Sequence, residues 1–262
     1  MPFDLSLPPK LFVPQKPAII RASRVPESPA EARQIQYAPK RALGAGGAAM
    51  MMGGSPVANE LTYLGPLSLV STTNSFNLGN IAVPKDGLLI VAAGKRGGSD
   101  GVTAVSVSIG GSNGSIAVTP TAARQDSASV IAAREVSAGN NNITINWSGN
   151  GAACAAFCYL MTGFASATAA AFDGINADTF GTSINATFTL PANSAAVYMA
   201  LHNNTNATSW ANAVLDDDLT VNSVRYSSAS LVTAAELVSR TATASWSGSV
   251  ARAIVGAVYQ FA

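Results

Sequence analysis

Ser127-Ala128-Ser129-Val130-Ile131, then Trp147-Ser148-Gly149, then an apolar run ending near Phe164: this order recurs as Ser228-Ala229-Ser230-Leu231-Val232, Trp246-Ser247-Gly248 and an apolar run ending at Phe261. The first copy opens on Ile81-Ala82-Val83-Pro84 and the second on Phe188-Thr189-Leu190-Pro191. Self-similarity of this kind marks a supersecondary unit used twice. The Ser-to-Trp spacing differs by two residues between copies, and an even difference keeps the same side chains facing inward, because strand facing has period two. The extra residues fall in Ser137–Asn142, which is expected to be a hairpin loop; its counterpart is expected at Ser239-Arg240.

Working outward, the pattern from Leu61 onward is β. Leu64–Val70 and Ser75–Val83 alternate in part, whereas Val105–Ile109 and Ile143–Trp147 alternate with period two. Leu88–Ala93 and Ala195–Leu201 are short continuous apolar runs, which predict strands buried on both faces. Leu219–Val224 takes the place of Val105–Ile109 in the second copy. Gly94-Lys95-Arg96-Gly97-Gly98 predicts a solvated loop. Turns every 8–12 residues or so predict an all-β fold of two tandem, similar β-sandwiches of jelly-roll or immunoglobulin-like spacing, over 57–170 and 171–262.

Residues 1–56 are different. Nine of the thirteen prolines lie there, among them Pro8, Pro9, Pro14 and Pro17, which hold the chain extended. Leu11, Phe12, Val13, Ile19, Ile20 and Arg21 are interspersed, too many large apolar residues for a flexible linker. They predict an extended arm that docks on a partner. Ser28-Pro29-Ala30-Glu31 has capping-box spacing and predicts one short helix to about Gln36. The arm's residues 1–41 carry seven Lys/Arg against three Asp/Glu (7 − 3 = +4), and the remainder eight against eleven (8 − 11 = −3). That asymmetry suits docking on an acidic protein surface. The dispersed basic residues lack the aromatic interleaving of a nucleic-acid binder, and no nucleic-acid partner is expected. Ala42–Ala58 is broken by glycines and Pro56, so no membrane insertion is expected, and Met1-Pro2-Phe3-Asp4 does not begin a secretory leader.

The residues that carry chemistry are sparse. Charged residues make up only 11% of the chain, well under the usual ~25%, so Ser, Thr, Asn, Gly and Ala must cover the surface. Cys154 and Cys158, four apart in one strand, would stand about 13 Å apart at ~3.3 Å per residue, too far for a mutual disulfide. They read as small buried hydrophobes. His202, the single histidine, reads as an exposed loop residue. Asp216-Asp217-Asp218, the one acidic cluster, reads as a solvated turn; carboxylates in a row could help hold calcium, but further oxygen ligands at suitable spacing are missing. No metal or cofactor is expected, and no Gly-x-Ser-x-Gly elbow or phosphate loop supports catalysis. Trp147 and Trp246, matched between copies, read as core anchors. Trp210 has no counterpart and is the candidate for an exposed contact.

In style, through the Pro8-Pro9-Lys10 to Ile19-Ile20-Arg21 arm and the paired Trp-Ser-Gly units, the chain resembles structural proteins of tailed-bacteriophage virions: tail or neck fibres, fibre adaptors and head decoration proteins. That resemblance implies a non-enzymatic virion component assembled in the host cytoplasm, anchored to other virion proteins through residues 1–56 and forming homo-oligomers. The alternative is a carbohydrate-binding or host-receptor-binding adhesin module, whose partner would be a host-surface glycan.

Overall fold

The two apolar runs are strands, and each is covered on both faces. A computed structural model describes residues 58–98, 101–120, 127–177 and 180–262. The arm, with Leu11, Phe12, Val13, Ile19, Ile20, Arg21 and the helix expected from Ser28, lies outside the described residues. Among the described residues every regular element is a strand, so the protein is all-β as expected.

The first half holds β1 (Glu60–Val83), β2 (Gly87–Arg96), β3 (Ala104–Ile109), β4 (Ser112–Asn113), β5 (Ser115–Val118), β6 (Ala128–Val136) and β7 (Gly139–Thr162). The second holds β8 (Ala171–Asn176), β9 (Gly181–Leu190), β10 (Ser194–His202), β11 (Ser209–Ala211), β12 (Val214–Val221), β13 (Val224–Thr233), β14 (Leu237–Val250) and β15 (Arg252–Gln260). All pairings are antiparallel.

β1 and β7 are each 24 residues long, roughly 80 Å if straight, which no compact domain accommodates. They bend. The ladder from Leu61–Val70 to Ala153–Met161 is interrupted around Thr73 and resumes between Ser75–Val83 and Gly139–Asn146, leaving Trp147–Asn150 outside the β1 ladder. Bulges of this kind let a strand change sheets. The sheet therefore folds over itself. One layer is β1–β7–β2–β6–β5, using the first half of β1 and the second half of β7; the other is β1–β7–β3–β4, using the remaining halves.

The second half repeats that order in separate pieces. Its layers are β8–β15–β10–β13–β12 and β9–β14–β11. The ladder of β14 on β9 skips from Ser245 to Val250, so Trp246–Ser249 lie outside it, as Trp147–Asn150 do in the first half. Each Trp-Ser-Gly thus marks the corner where a strand leaves one layer for the next.

Three apolar cores separate four layers. Trp147, Phe76, Ile109, Ile145 and Val107 face Leu89, Val91, Val130 and Leu160 across the first. Leu88, Ile90, Phe157, Tyr159 and Met161 face Val197, Met199, Tyr226, Val255 and Tyr259 across the middle one. Tyr198, Ile254 and Val258 face Ile184, Phe188, Leu190 and Trp246 across the third. The inner layers are buried on both faces and read as continuous apolar runs; the outer layers have one wet face and alternate. Cys154 and Cys158 are buried in the first core as free thiols, which burial pushes up to about 12. Contacts across the middle core are reciprocal. β2 lies over β10, β1 meets β12 as β5 meets β8, and Phe164 bridges Phe261 with Ala165 N–H donating to Gln260 and Ala262 N–H to Gly163.

Three expectations need correction. The second hairpin turns at Ala234–Glu236, where Thr233 Oγ1 accepts the Ala235 N–H; Ser239-Arg240 is a bulge within β14, with Ser239 at φ 49°. The first turn is at Ser137–Ala138, and Gly139–Asn142 already belong to β7. Leu219–Val224 does not replace Val105–Ile109: β12 pairs with β13 in the place of β5, and the short β11 takes the place of β3. The Asn222-Ser223 turn, with both residues at positive φ, closes the β12–β13 hairpin as a two-residue turn of mirror-image type.

Candidate functional site

Two buried bases stand at the corners. Lys95, expected in a solvated loop, is the penultimate residue of β2 and only 1% exposed. Its Nζ donates to the carbonyls of Gly149 (3.0 Å) and Asn150 (2.7 Å) and lies 6.0 Å from the Trp147 ring centre. Those carbonyls lost their ladder partners when β7 bent, and the lysine supplies the donors. Gly151 must lack a side chain here, because a Cβ would meet the Lys95 stem 2.5 Å away. Burial lowers the amine to about 8.

His202, expected in an exposed loop, ends β10 at the place Lys95 holds in β2 and is fully buried. Its ring stacks on Trp246 at 4.3 Å and 19°, and Nε2 lies 3.0 Å from Thr208 Oγ1. The corner carbonyl of Ser247 is taken by the Asn204 and Asn206 side chains instead (3.1 and 2.8 Å). Burial drives the imidazole down to about 4. A histidine beside a threonine hydroxyl has the elements of a nucleophile pair, but both groups are covered from solvent, and here the pair is a buried structural hydrogen bond.

Lys95→Met is expected to stay within about 1.5 kcal/mol of wild type at pH 7, since the two lost hydrogen bonds are offset by relief of a desolvated charge. The folded pKa lies below the usual 10.5, so the unfolded chain binds the extra proton between about 8 and 10.5. Wild type should therefore gain on the variant as pH rises through that window. Urea midpoints at pH 7, 8.5 and 10 check both statements.

Asp216, Asp217 and Asp218 are not a solvated turn. They lie half-buried in β12, where a bulge between Leu215 and Asp217 shifts their facing. Tyr63 donates to Asp217 Oδ2 (2.7 Å), Tyr159 donates to Asp216 Oδ2 (3.0 Å), and the two rings pack at 5.2 Å. Asp218 Oδ2 pairs with Arg225 (2.6 Å) and accepts the Thr208 N–H (3.0 Å). Burial first, and then the carboxylates, holds both phenols well above their ordinary range. Asp216 and Asp217 tie β12 to Tyr159 and Tyr63 of the facing layer, Asp218 ties it to Arg225 of β13, and among the described residues no group of three or more His, Cys, Asp or Glu is placed to hold a metal ion.

Trp210, the candidate for an exposed contact, is in β11 and half-buried. Its Nε1 donates to Ser227 Oγ (2.9 Å), and its ring tilts against Tyr198 at 6.0 Å.

The feature that sequence reading missed is a cleft of about 680 Å3 at one end of the first half. The β6–β7 turn, the β3–β4 turn, the start of β2 and the end of β7 border this open cleft. Arg134, Glu135, Asp86, Ser137, Asn140 and Phe164 line it. Arg134 Nη1 is held by the carbonyls of Ile109 and Gly110, and Asp86 Oδ1 accepts the Ala138 N–H at 2.8 Å. Asn141 braces the turn by donating to Ser137 and Gly139 carbonyls, each at 3.3 Å. The β6–β7 turn that forms one wall of the cleft is Ser137–Ala138, shorter than its counterpart at Ala234–Glu236.

Comparison with protein-family models, with curated proteins and with solved structures finds no match for this chain.

Proposed function

We propose that the chain is a non-enzymatic structural component of a tailed-bacteriophage virion, of the tail or neck fibre, fibre-adaptor or head-decoration kind, assembled in the host cytoplasm. On this reading residues 1–56 are an arm that anchors to other virion proteins, and 57–170 and 171–262 are tandem copies of one β-sandwich that project or pack. The observation that carries it is the repeated strand order, β1–β7–β2–β6–β5 and β8–β15–β10–β13–β12, set face to face across one apolar core. Two half-sized sandwiches sharing a core form a stiff block larger than either could sustain alone. The low charge and the Ser/Thr/Asn surface suit life in an assembly. Neighbour packing and homo-oligomers are supported by large apolar side chains on both edge strands of the β8–β15–β10–β13–β12 layer: Phe172 (58% exposed) and Ile175 on β8, and Val214 on β12.

Deleting residues 1–56 is expected to abolish incorporation into particles while the remaining body keeps its β circular-dichroism spectrum and cooperative melt. Normal incorporation of the truncated protein, scored by its presence in purified particles, overturns the anchoring role.

A second reading, a module that binds a host-surface glycan, draws its support from the cleft rather than from Trp210, whose indole N–H and ring are engaged within the fold.

A further inference from the structure

The cleft lies in the first half, beside the short Ser137–Ala138 turn. Its volume falls in the roughly 300–1,000 Å3 range of small-molecule sites. Its lining mixes polar and apolar groups, and its donors and acceptors are unevenly spent. The Arg134 guanidinium is turned onto the carbonyls of Ile109 and Gly110. Asp86 lines the cleft at an exposed position, and its Oδ1 accepts the Ala138 N–H. Glu135 and Asn140 are exposed on the lining and make no hydrogen bond among the described residues. Phe164 contributes a half-buried ring to the same wall.

Two carboxylates against one committed arginine make this a poor site for an anion. Phosphate, sulfate and sialylated ligands would meet like charge without a free cation. Free carboxylate oxygens accept hydrogen bonds from paired hydroxyls, and a carboxamide both donates and accepts. An aromatic ring beside them covers an apolar C–H face. Vicinal hydroxyls on one side and a C–H face on the other are the chemistry of a pyranose ring. We propose that the cleft between the β3–β4 and β6–β7 turns binds an uncharged saccharide, a neutral hexose or N-acetylhexosamine unit, through Asp86, Glu135 and Asn140 with Phe164 as its apolar wall. The proposal deepens the second reading above and rests on it; the anchoring role of the arm does not depend on it.

The experiment titrates the full chain with soluble neutral oligosaccharides and with sialylated ones, by calorimetry and saturation-transfer NMR. Neutral oligosaccharides are expected to bind and sialylated ones to bind at least tenfold more weakly. Glu135→Gln and Asn140→Ala, both at exposed positions, are each expected to weaken binding about tenfold with unchanged melting temperature. Absence of binding by every neutral saccharide at millimolar concentration overturns the proposal. So does binding that survives the Glu135→Gln/Asn140→Ala double variant, or a preference for sialylated ligands. Particle incorporation of the same variants, measured separately, stays at the wild-type level if the cleft fails as a site but the arm anchors.

Discussion

Trp147→Ala is expected to lower the free energy of unfolding by about 3–5 kcal/mol, the range for deleting a fully buried large aromatic. The indole is 1% exposed in the first core. Around it the core is built largely of small groups, with Ala93, Ala128, Ala132, Ala156 and Cys154 in the same cluster. Small, stiffly held neighbours on sheet backbones cannot move in to fill the void, so the loss should fall toward the upper part of that range. A second consequence is specific to the corner. The Lys95 ammonium loses the ring beneath it while staying bound to the Gly149 and Asn150 carbonyls. Water admitted to the cavity would resolvate it, so the lysine's titration should move back up from about 8 toward its usual 10.5. Urea unfolding followed by far-ultraviolet circular dichroism measures the first effect. The pH dependence of the difference between Trp147→Ala and wild type measures the second. A loss under about 1 kcal/mol would show that the tryptophan is not an anchor. Trp210→Ala is the internal comparison. That indole is half-buried at the rim of the third core, so its removal should cost clearly less.

The difference between buried and half-buried layers was written plainly in the chain. Leu88–Ala93 and Ala195–Leu201 are unbroken apolar runs because each has a core on both faces; Phe76–Val83, Ile143–Trp147 and Ile184–Leu190 alternate because one face meets water. The pairing of the Trp-Ser-Gly sequences was legible too, although not that each marks a corner. What could not be read depends on partners distant in sequence. Gly94-Lys95-Arg96-Gly97-Gly98 has the composition of a loop, and nothing local says that two carbonyls some fifty residues on will need the lysine's protons. Three consecutive aspartates look like a solvated turn until Tyr63, Tyr159 and Arg225 arrive from other strands to satisfy them. Tyr63 is also where the repeats part company. By ladder register its counterpart is Phe172, which cannot make the hydrogen bond and stands 58% exposed on the opposite flank of the middle core. The all-β layering was therefore accessible from pattern alone, whereas the polar contacts and the cleft required the fold.

His202 makes the protein sensitive to acid, and the sign follows from burial. The imidazole is fully buried, stacked on Trp246, and held neutral with its pKa near 4 against an ordinary value of 6.5. Desolvation is the main cause. Among the charged groups that act on it, Asp218 favours the protonated ring and Arg225 opposes it, while these two are paired with each other at 2.6 Å. The folded state therefore binds the proton less readily than the unfolded chain. Stability from this group is complete above about pH 6.5, falls as the unfolded chain takes up the proton, and is lost by about pH 4, below which both states are protonated. A shift of this size corresponds to at most about 3 kcal/mol, comparable to the whole effect of a core truncation and concentrated at one end of the second half. His202→Phe preserves a flat ring against Trp246 and removes the titration. It also gives up the contact with Thr208 Oγ1, which costs about 1 kcal/mol at every pH. The variant is accordingly expected to be slightly less stable than wild type at pH 7.5 and more stable at pH 4.5, the two curves crossing between. Carboxylates remote from the ring contribute alike to both proteins and cancel in the difference, whereas Asp218, which acts on the ring, does not. A wild-type-minus-variant difference in urea midpoint that stays constant from pH 7.5 to 4.5 would mean that the ring is solvated in solution and that the stack on Trp246 does not hold it neutral.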